Sequence, residues 1–151
     1  MPLIITTVTP EEDPALAELW EASVRATHSF VTEADIRFFK PLVRDSYLAA
    51  VTLRCARDVS GAVLGFVGVA AEKIEMLFVE PACFGQGIGS ALLACAVETL
   101  GATCVDVNEQ NTDALAFYKR RGFTVVGRSP RDGQGKPYPL LHMALRIHGQ
   151  P

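Results

Sequence analysis

The segment Val79-Glu80-Pro81-Ala82-Cys83-Phe84-Gly85-Gln86-Gly87-Ile88-Gly89-Ser90 decides the reading of this chain. It ends an apolar run, Ile74 to Val79, and alternates three glycines. It then opens a pattern in which Leu92, Leu93, Ala96, Val97 and Leu100 share one helical face. Strand, glycine turn and helix follow one another. A glycine turn presents backbone N–H groups with no side chain in the way, and a helix start adds partial positive charge at the same point. Together they form a site for a phosphate or pyrophosphate. Two familiar phosphate motifs do not fit. A dinucleotide fingerprint would need glycine at Ser90 or Leu92, and a P-loop would need a Gly-Lys-Ser/Thr run that the chain lacks.

Working upstream, Val51, Leu53 and Cys55 alternate with polar residues, Asp58 to Gly61 form a turn, and Ala62 to Ala71 is an apolar strand. Glu72 and Lys73 turn the chain into Ile74 to Val79, which completes an antiparallel meander. Leu3 to Val8 is β-prone, and Thr9-Pro10-Glu11-Glu12 carries a helix-start signature. Leu16, Leu19, Trp20 and Val24 then lie on one helical face. Thr32 and Asp35 cap a second helix through Ile36, Phe39 and Val43, which Pro41 should kink or end. Downstream, Gly101 stops the helix of the glycine turn, and Cys104 to Val107 is a short strand. Asn111 to Arg121 is a helix closed by Gly122, and Phe123 to Gly127 and Leu140 to Ile147 are strands around a Gly/Pro-rich loop. The order predicts an α+β fold, an α/β sandwich on a mixed central sheet whose meander is flanked by helices. A length of 151 residues predicts a single domain, 1–151.

A hydrophobic fraction of 49% excludes a disordered chain, and a net charge of −3 argues against a nucleic-acid partner. The longest weakly charged apolar stretch, Ala62 to Ala71, falls far short of the roughly 20 residues that span a bilayer, so no membrane partner is expected. Met1 to Thr9 lacks the basic start of a signal peptide. Cys55, Cys83, Cys95 and Cys104 form no C-x-x-C pair, which predicts free thiols in the cytoplasm and no metal. The charge is uneven: residues 1–109 hold 7 basic and 15 acidic residues, and residues 110–151 hold 7 and 2.

Two blocks resemble the GNAT superfamily of acetyl-CoA-dependent N-acetyltransferases. Phe84-Gly85-Gln86-Gly87-Ile88-Gly89 is similar to its motif A, Gln/Arg-x-x-Gly-x-Gly/Ala. Phe84 stands where Arg or Gln is usual, which removes a side-chain contact to phosphate. Asn111, Ala114, Phe117, Tyr118, Gly122 and Phe123 have the spacing N-x-x-A-x-x-F-Y-x-x-x-G-F and look like motif B. The resemblance implies a GNAT domain with acetyl-CoA as acetyl donor. It implies coenzyme contacts from Leu77, Phe78 and Val79 in the strand, and from Phe84, Gly85, Gln86, Gly87, Ile88, Gly89 and Ser90 in the turn. Asn108, Asn111, Ala114, Phe117 and Lys119 would supply the rest. The basic C-terminal third suits the coenzyme's phosphates.

Such a reaction needs a base, an oxyanion donor and an acid. A lysine-like amine, with a pKa of about 10, is protonated at neutral pH and must lose a proton before attacking a thioester. The departing thiolate is best protonated as it leaves. The resemblance implies Tyr118 as the acid, with packing beside Phe117 as its structural alternative. It implies a carboxylate or a water-relayed base. Glu75, on the sheet face of Leu77 and Val79, is the candidate, and Glu80, His28 and His142 are rivals. The oxyanion donor would be a backbone N–H around Leu77 to Val79. Asn111 fits both a coenzyme contact and a helix cap. Trp20 reads as core. His28, Phe30, Tyr138 and His142 are candidates for the acceptor pocket, with Tyr138 stiffened by Pro137 and Pro139. The expected function is acetyl transfer to a primary amine of a small molecule. The alternatives are a non-catalytic acyl-CoA sensor and a protein lysine or N-terminal acetyltransferase. The resemblance also admits a homodimer through a sheet edge.

Overall fold

A computed structural model describes residues 3–146, which divide after Ala102 into two compact units. In the first, β1 (Ile4–Thr6), β2 (Thr52–Arg57), β3 (Val63–Ala70) and β4 (Lys73–Val79) pair in sequence, each antiparallel to the next. The expected meander is present, and its turns are built from local chemistry. The Asp58 carboxylate accepts from the N–H groups of Ser60 at 2.8 Å and Ala62 at 3.1 Å. Between β3 and β4 only Ala71 and Glu72 turn, both at positive φ (49° and 66°). A two-residue loop with this backbone matches the twist of its strands, so Lys73 opens β4 instead of closing the turn.

Three helices accompany this sheet: α1 (Asp13–Thr27), α2 (Glu33–Leu42) and α3 (Ile88–Glu98). A 3-10 turn, Pro10–Glu12, leads into α1, and the Thr9 N–H donates to Glu12 Oε1 at 3.1 Å. Glu12 also reaches across to Arg57 at 2.7 Å, which ties the helix entry to β2. The Thr32 hydroxyl caps α2 by accepting from the Asp35 N–H at 3.1 Å. Regular helix ends at Leu42, one residue past Pro41, but the chain stays coiled through a π turn (Val43–Tyr47) and a 3-10 turn (Leu48–Ala50). Proline denies a donor to the carbonyl four residues before it, and the coil widens just beyond. The wider coil keeps Val43 and Leu48 in the core with Leu16, Trp20, Ile36, Cys55, Phe66 and Met76. Strand geometry therefore begins at Thr52.

Gly65 seats α3 on the sheet. A Cβ there would lie 2.9 Å from the Phe78 carbonyl oxygen, 3.0 Å from Leu92 Cδ1 and 3.2 Å from Ile88 Cγ2. Close packing of strand and helix holds the first turn of α3, and with it the glycine turn, in a fixed place.

The second unit contains β5 (Cys104–Asn108), α4 (Thr112–Arg120), β6 (Phe123–Ser129) and β7 (Leu140–Leu145). β7 lies between β5 and β6 and is antiparallel to both. Ile147, expected at the end of this strand, lies outside the described residues. Val105, Val107, Phe123 and Met143 are buried, and Tyr118 of α4 packs edge-on against Phe123 with ring centroids 5.5 Å apart. Val125 stands opposite Met143, but Gly127 stands opposite His142, so Val126 is an extra residue in β6. This bulge moves Gly127 and Ser129 onto the sheet face of His142 and Asp106.

Candidate active site

In the first unit, β4 carries Glu75, Leu77, Phe78 and Val79 and leads into a 3-10 turn, Pro81–Cys83. Phe84 follows in extended backbone and is 45% exposed. Gly85 and Gly87 both adopt left-handed backbone, with φ of 80° and 82°, and Gly87 is the N-cap of α3. A side chain is strained in that region, whereas glycine enters it freely. A Cβ at either position would meet nothing within 4 Å, so the turn faces open space. The N–H groups of Gly85, Gly87, Ile88 and Gly89 find no acceptor among the described residues. Unengaged amides, open space and a helix start together fit a pyrophosphate.

Glu75 is the extra residue where the β3–β4 register shifts between Gly68 and Val69, and it is exposed. Ser90 lies inside the first turn of α3. His28 ends α1, with its Nδ1 2.7 Å from the Thr27 hydroxyl and its ring centroid 5.3 Å from that of Phe30. Burial lowers the pKa of His28 below the usual imidazole value.

In the second unit, Asn108 and Asn111 bracket the turn between β5 and α4. Asn108 Oδ1 accepts from the Gln110 N–H at 2.9 Å, and Asn111 Oδ1 accepts from the Ala114 N–H at 3.1 Å, so Asn111 is the expected helix cap. Phe117 and Tyr118 pack edge-to-face at 5.1 Å, and Arg121 stacks on the Phe117 ring at 3.8 Å. Tyr118 is 6% exposed, and its hydroxyl makes no hydrogen bond with another described residue. Burial alone raises its pKa, which keeps the phenol protonated and able to donate. Lys119 is exposed in the last turn of α4. Of the other basic residues, Arg128 is held by Glu109 through two contacts of 2.9 Å, and Arg131 donates to the Gly135 carbonyl at 3.1 Å.

Tyr138, expected over a pocket, is 8% exposed and belongs to the buried set. Flanking prolines stiffen the segment, and the ring is buried. His142 is in a chain of contacts that sequence reading misses. Its Nδ1 lies 2.6 Å from Asp106 Oδ1, and its Nε2 lies 2.6 Å from Ser129 Oγ. These three residues are far apart in sequence and meet only through strand register, so no spacing motif marks them.

The acetyltransferase (GNAT) domain family matches residues 48–125. The chain is 41% identical over 133 residues to the peptidyl-lysine N-acetyltransferase YjaB of Salmonella typhimurium, covering 88% of this chain and 91% of that protein. It is 38% identical over 134 residues to the protein of the same name from Escherichia coli, covering 89% and 90%. The solution structure of apo YjaB from Escherichia coli superposes with a TM-score of 0.87 at 36% identity, covering 95% of this chain and 97% of that one. This chain belongs to the GNAT acetyltransferase family. It is an N-acetyltransferase, and enzymes of this family take acetyl from acetyl-CoA. The match in fold bears out the expected α+β class with a mixed sheet. No helix among the described residues is long and apolar enough to cross a membrane.

Proposed function

We propose that this enzyme acetylates the side-chain amine of lysine in proteins. One observation carries the choice of acceptor: relatives aligned along about nine-tenths of their own length are peptidyl-lysine N-acetyltransferases, at 41% and 38% identity. This favours a protein lysine over the small-molecule amine expected from the sequence alone. The excess of acidic residues over 1–109 suits a basic segment that carries the target lysine. The whole chain acts as one acetyltransferase domain.

Bound acetyl-CoA supplies an acetyl thioester. The N–H groups of Gly85, Gly87, Ile88 and Gly89 hold the pyrophosphate, with the α3 dipole behind them. Leu77, Phe78, Val79, Phe84, Gln86, Ser90, Asn108, Asn111, Ala114, Phe117 and Lys119 complete the coenzyme contacts. Tyr118 donates its phenolic proton to the leaving sulfur. The absence of a competing hydrogen bond among the described residues and the raised pKa support that role, because both keep the proton in place until it is needed. The test measures free-thiol release from acetyl-CoA with lysine-containing peptides, amino acids, polyamines and aminoglycosides as acceptors. Mass spectrometry locates the acetyl group. Peptide acetylation at the lysine amine, abolished when that lysine is pre-acetylated, is the expected result. Turnover of free amines alone would overturn the protein-lysine reading.

A further inference from the structure

We propose that Asp106, His142 and Ser129 form a proton relay that deprotonates the acceptor amine. The proposal rests on acetyl transfer to an amine, and it holds whichever amine is the acceptor. The contact chain fixes direction as well as proximity. A carboxylate only accepts hydrogen bonds, so Asp106 Oδ1, at 2.6 Å, holds the proton on His142 Nδ1. The Nε2 lone pair then faces Ser129 Oγ, also at 2.6 Å, and accepts its hydroxyl proton. Ser129 keeps a lone pair for a further donor. An orienting acid, an imidazole and a hydroxyl in this order are the arrangement that activates serine in hydrolases.

The backbone builds the relay. His142 on β7 stands directly opposite Asp106 on β5 and Gly127 on β6. Gly127 offers no side chain, and a Cβ there would lie 3.4 Å from His142 Cδ2, so the ring extends over this residue to the diagonal neighbour Ser129. The bulge at Val126 puts Ser129 on that face. A histidine held only for packing would be buried. The His142 side chain is instead 36% exposed, against 19% for Asp106. Water could satisfy an imidazole so exposed, yet both of its nitrogens are held by protein.

The step balances as follows. The acceptor's ammonium gives a proton to Ser129 Oγ while the Ser129 hydroxyl proton moves to His142 Nε2. Serine is regenerated, His142 becomes imidazolium beside the Asp106 carboxylate, and the amine keeps a lone pair for the thioester carbonyl. The exposed ring then returns its proton to water. Ser129 is the catalytic residue that meets the amine, His142 takes the proton, and Asp106 is a positioning residue. Among the described residues of β5, β6 and β7, the titratable groups that share the His142 face are Asp106 and the Cys104 thiol of β5. β6 contributes only Thr124, Gly127 and Ser129 there, and β7 contributes Leu140 and Ala144.

The experiment measures kcat/KM for the acceptor against pH, in wild type and in His142→Gln, Ser129→Ala, Ser129→Thr and Asp106→Asn, with KM for acetyl-CoA recorded in parallel. Protonated imidazole cannot accept a proton, so wild-type kcat/KM falls on acidification along a limb that His142→Gln removes. His142→Gln and Ser129→Ala lower kcat/KM about 10²–10⁴-fold with KM for acetyl-CoA unchanged, Ser129→Thr restores most of it, and Asp106→Asn displaces the limb. Circular dichroism identifies any variant that fails to fold, and the folded members of the set then decide. Wild-type magnitude and an unchanged limb in folded His142→Gln overturn the relay, as does loss of the limb in Glu75→Gln with retention in His142→Gln. An acetyl group found on Ser129 after single turnover overturns it too, because serine would then be a nucleophile. Turnover on free amines but not peptides removes the protein-lysine acceptor and leaves the relay standing. Turnover on no amine overturns both.

Discussion

Gly87→Ala separates the strain of the glycine turn from its role in coenzyme binding. Gly87 sits at φ 82° and ψ 7°, in the left-handed region, where an L-residue costs about 1–2 kcal/mol. Its missing Cβ would touch nothing within 4 Å, so no steric cost adds to that figure. For a chain of 151 residues the expected loss in Tm is about 2–8 °C. Gly101, just beyond α3, provides the matched control: its φ is 74° and its Cβ position is equally open, so Gly101→Ala should cost the same. The two variants differ in what the new methyl obstructs. At Gly87 it is added within the turn that carries the unengaged amides, and at Gly101 it is added beyond the other end of the helix. Acetyl-CoA at a hundred times its Kd stabilises the native state by about 2.7 kcal/mol, and a tenfold weaker Kd at the same concentration leaves about 1.4 kcal/mol. Loss of one charge-assisted hydrogen bond, at about 1.5–3 kcal/mol, is enough for that weakening. Thermal melts with and without acetyl-CoA should therefore show equal apo Tm values for the two variants. The ligand-induced shift should be halved or less in Gly87→Ala and intact in Gly101→Ala. An intact shift in Gly87→Ala, or an equal loss in Gly101→Ala, would refute a pyrophosphate held by this turn.

Tyr118→Phe keeps both ring contacts and removes a hydroxyl that makes no hydrogen bond with another described residue, so its Tm should match or slightly exceed that of wild type while thiol release falls about 10²–10⁴-fold. Unchanged turnover would end the assignment of the acid. Gly65→Ala forces a Cβ to 2.9 Å from a carbonyl oxygen under α3 and should cost about 1–3 kcal/mol in denaturant unfolding, and a midpoint equal to wild type would show that α3 yields freely. The Thr9 N–H first, and the Arg57 guanidinium second, hold the Glu12 carboxyl below its usual pKa. A depressed carboxylate stabilises the fold above its unfolded pKa and loses that contribution as pH falls through its folded pKa. The stability gap between wild type and Glu12→Gln should therefore be full at neutral pH and close below the ordinary carboxylate range. A gap that persists in strong acid would mean that Glu12 acts through packing and not through charge.

The features legible in the sequence share a physical property: each is decided within a few residues. The glycine turn needs positive φ at Gly85 and Gly87, and only glycine supplies it cheaply. Thr32 and Asn111 cap their helices because the donors they satisfy lie three residues ahead. Pro41 shows where local rules run out. Its missing N–H argues for an end to the helix, but burial of Val43 and Leu48 holds the chain in a wider coil beyond it. Tyr138 errs in the opposite sense. Two prolines mark a stiff segment, but stiffness alone does not tell whether the ring faces solvent or core.

The relay residues lie beyond local rules altogether. Alternation places His142 on one face of its strand, but the groups on that face depend on how two other strands pair with it. Asp106 arrives through the β5–β7 register, and Ser129 only because Val126 bulges. With uniform pairing through β6, His142 would face Val126, and Ser129 would turn to the opposite face. One inserted residue, itself exposed and chemically plain, decides whether the imidazole ends on a hydroxyl. Deleting Val126 should therefore act on the relay as Ser129→Ala does. It removes the hydroxyl from His142 without touching Asp106, His142 or Ser129. If the deletion variant folds and keeps wild-type kcat/KM and its acid limb, the hydroxyl is dispensable and proton transfer runs straight from the imidazole to water.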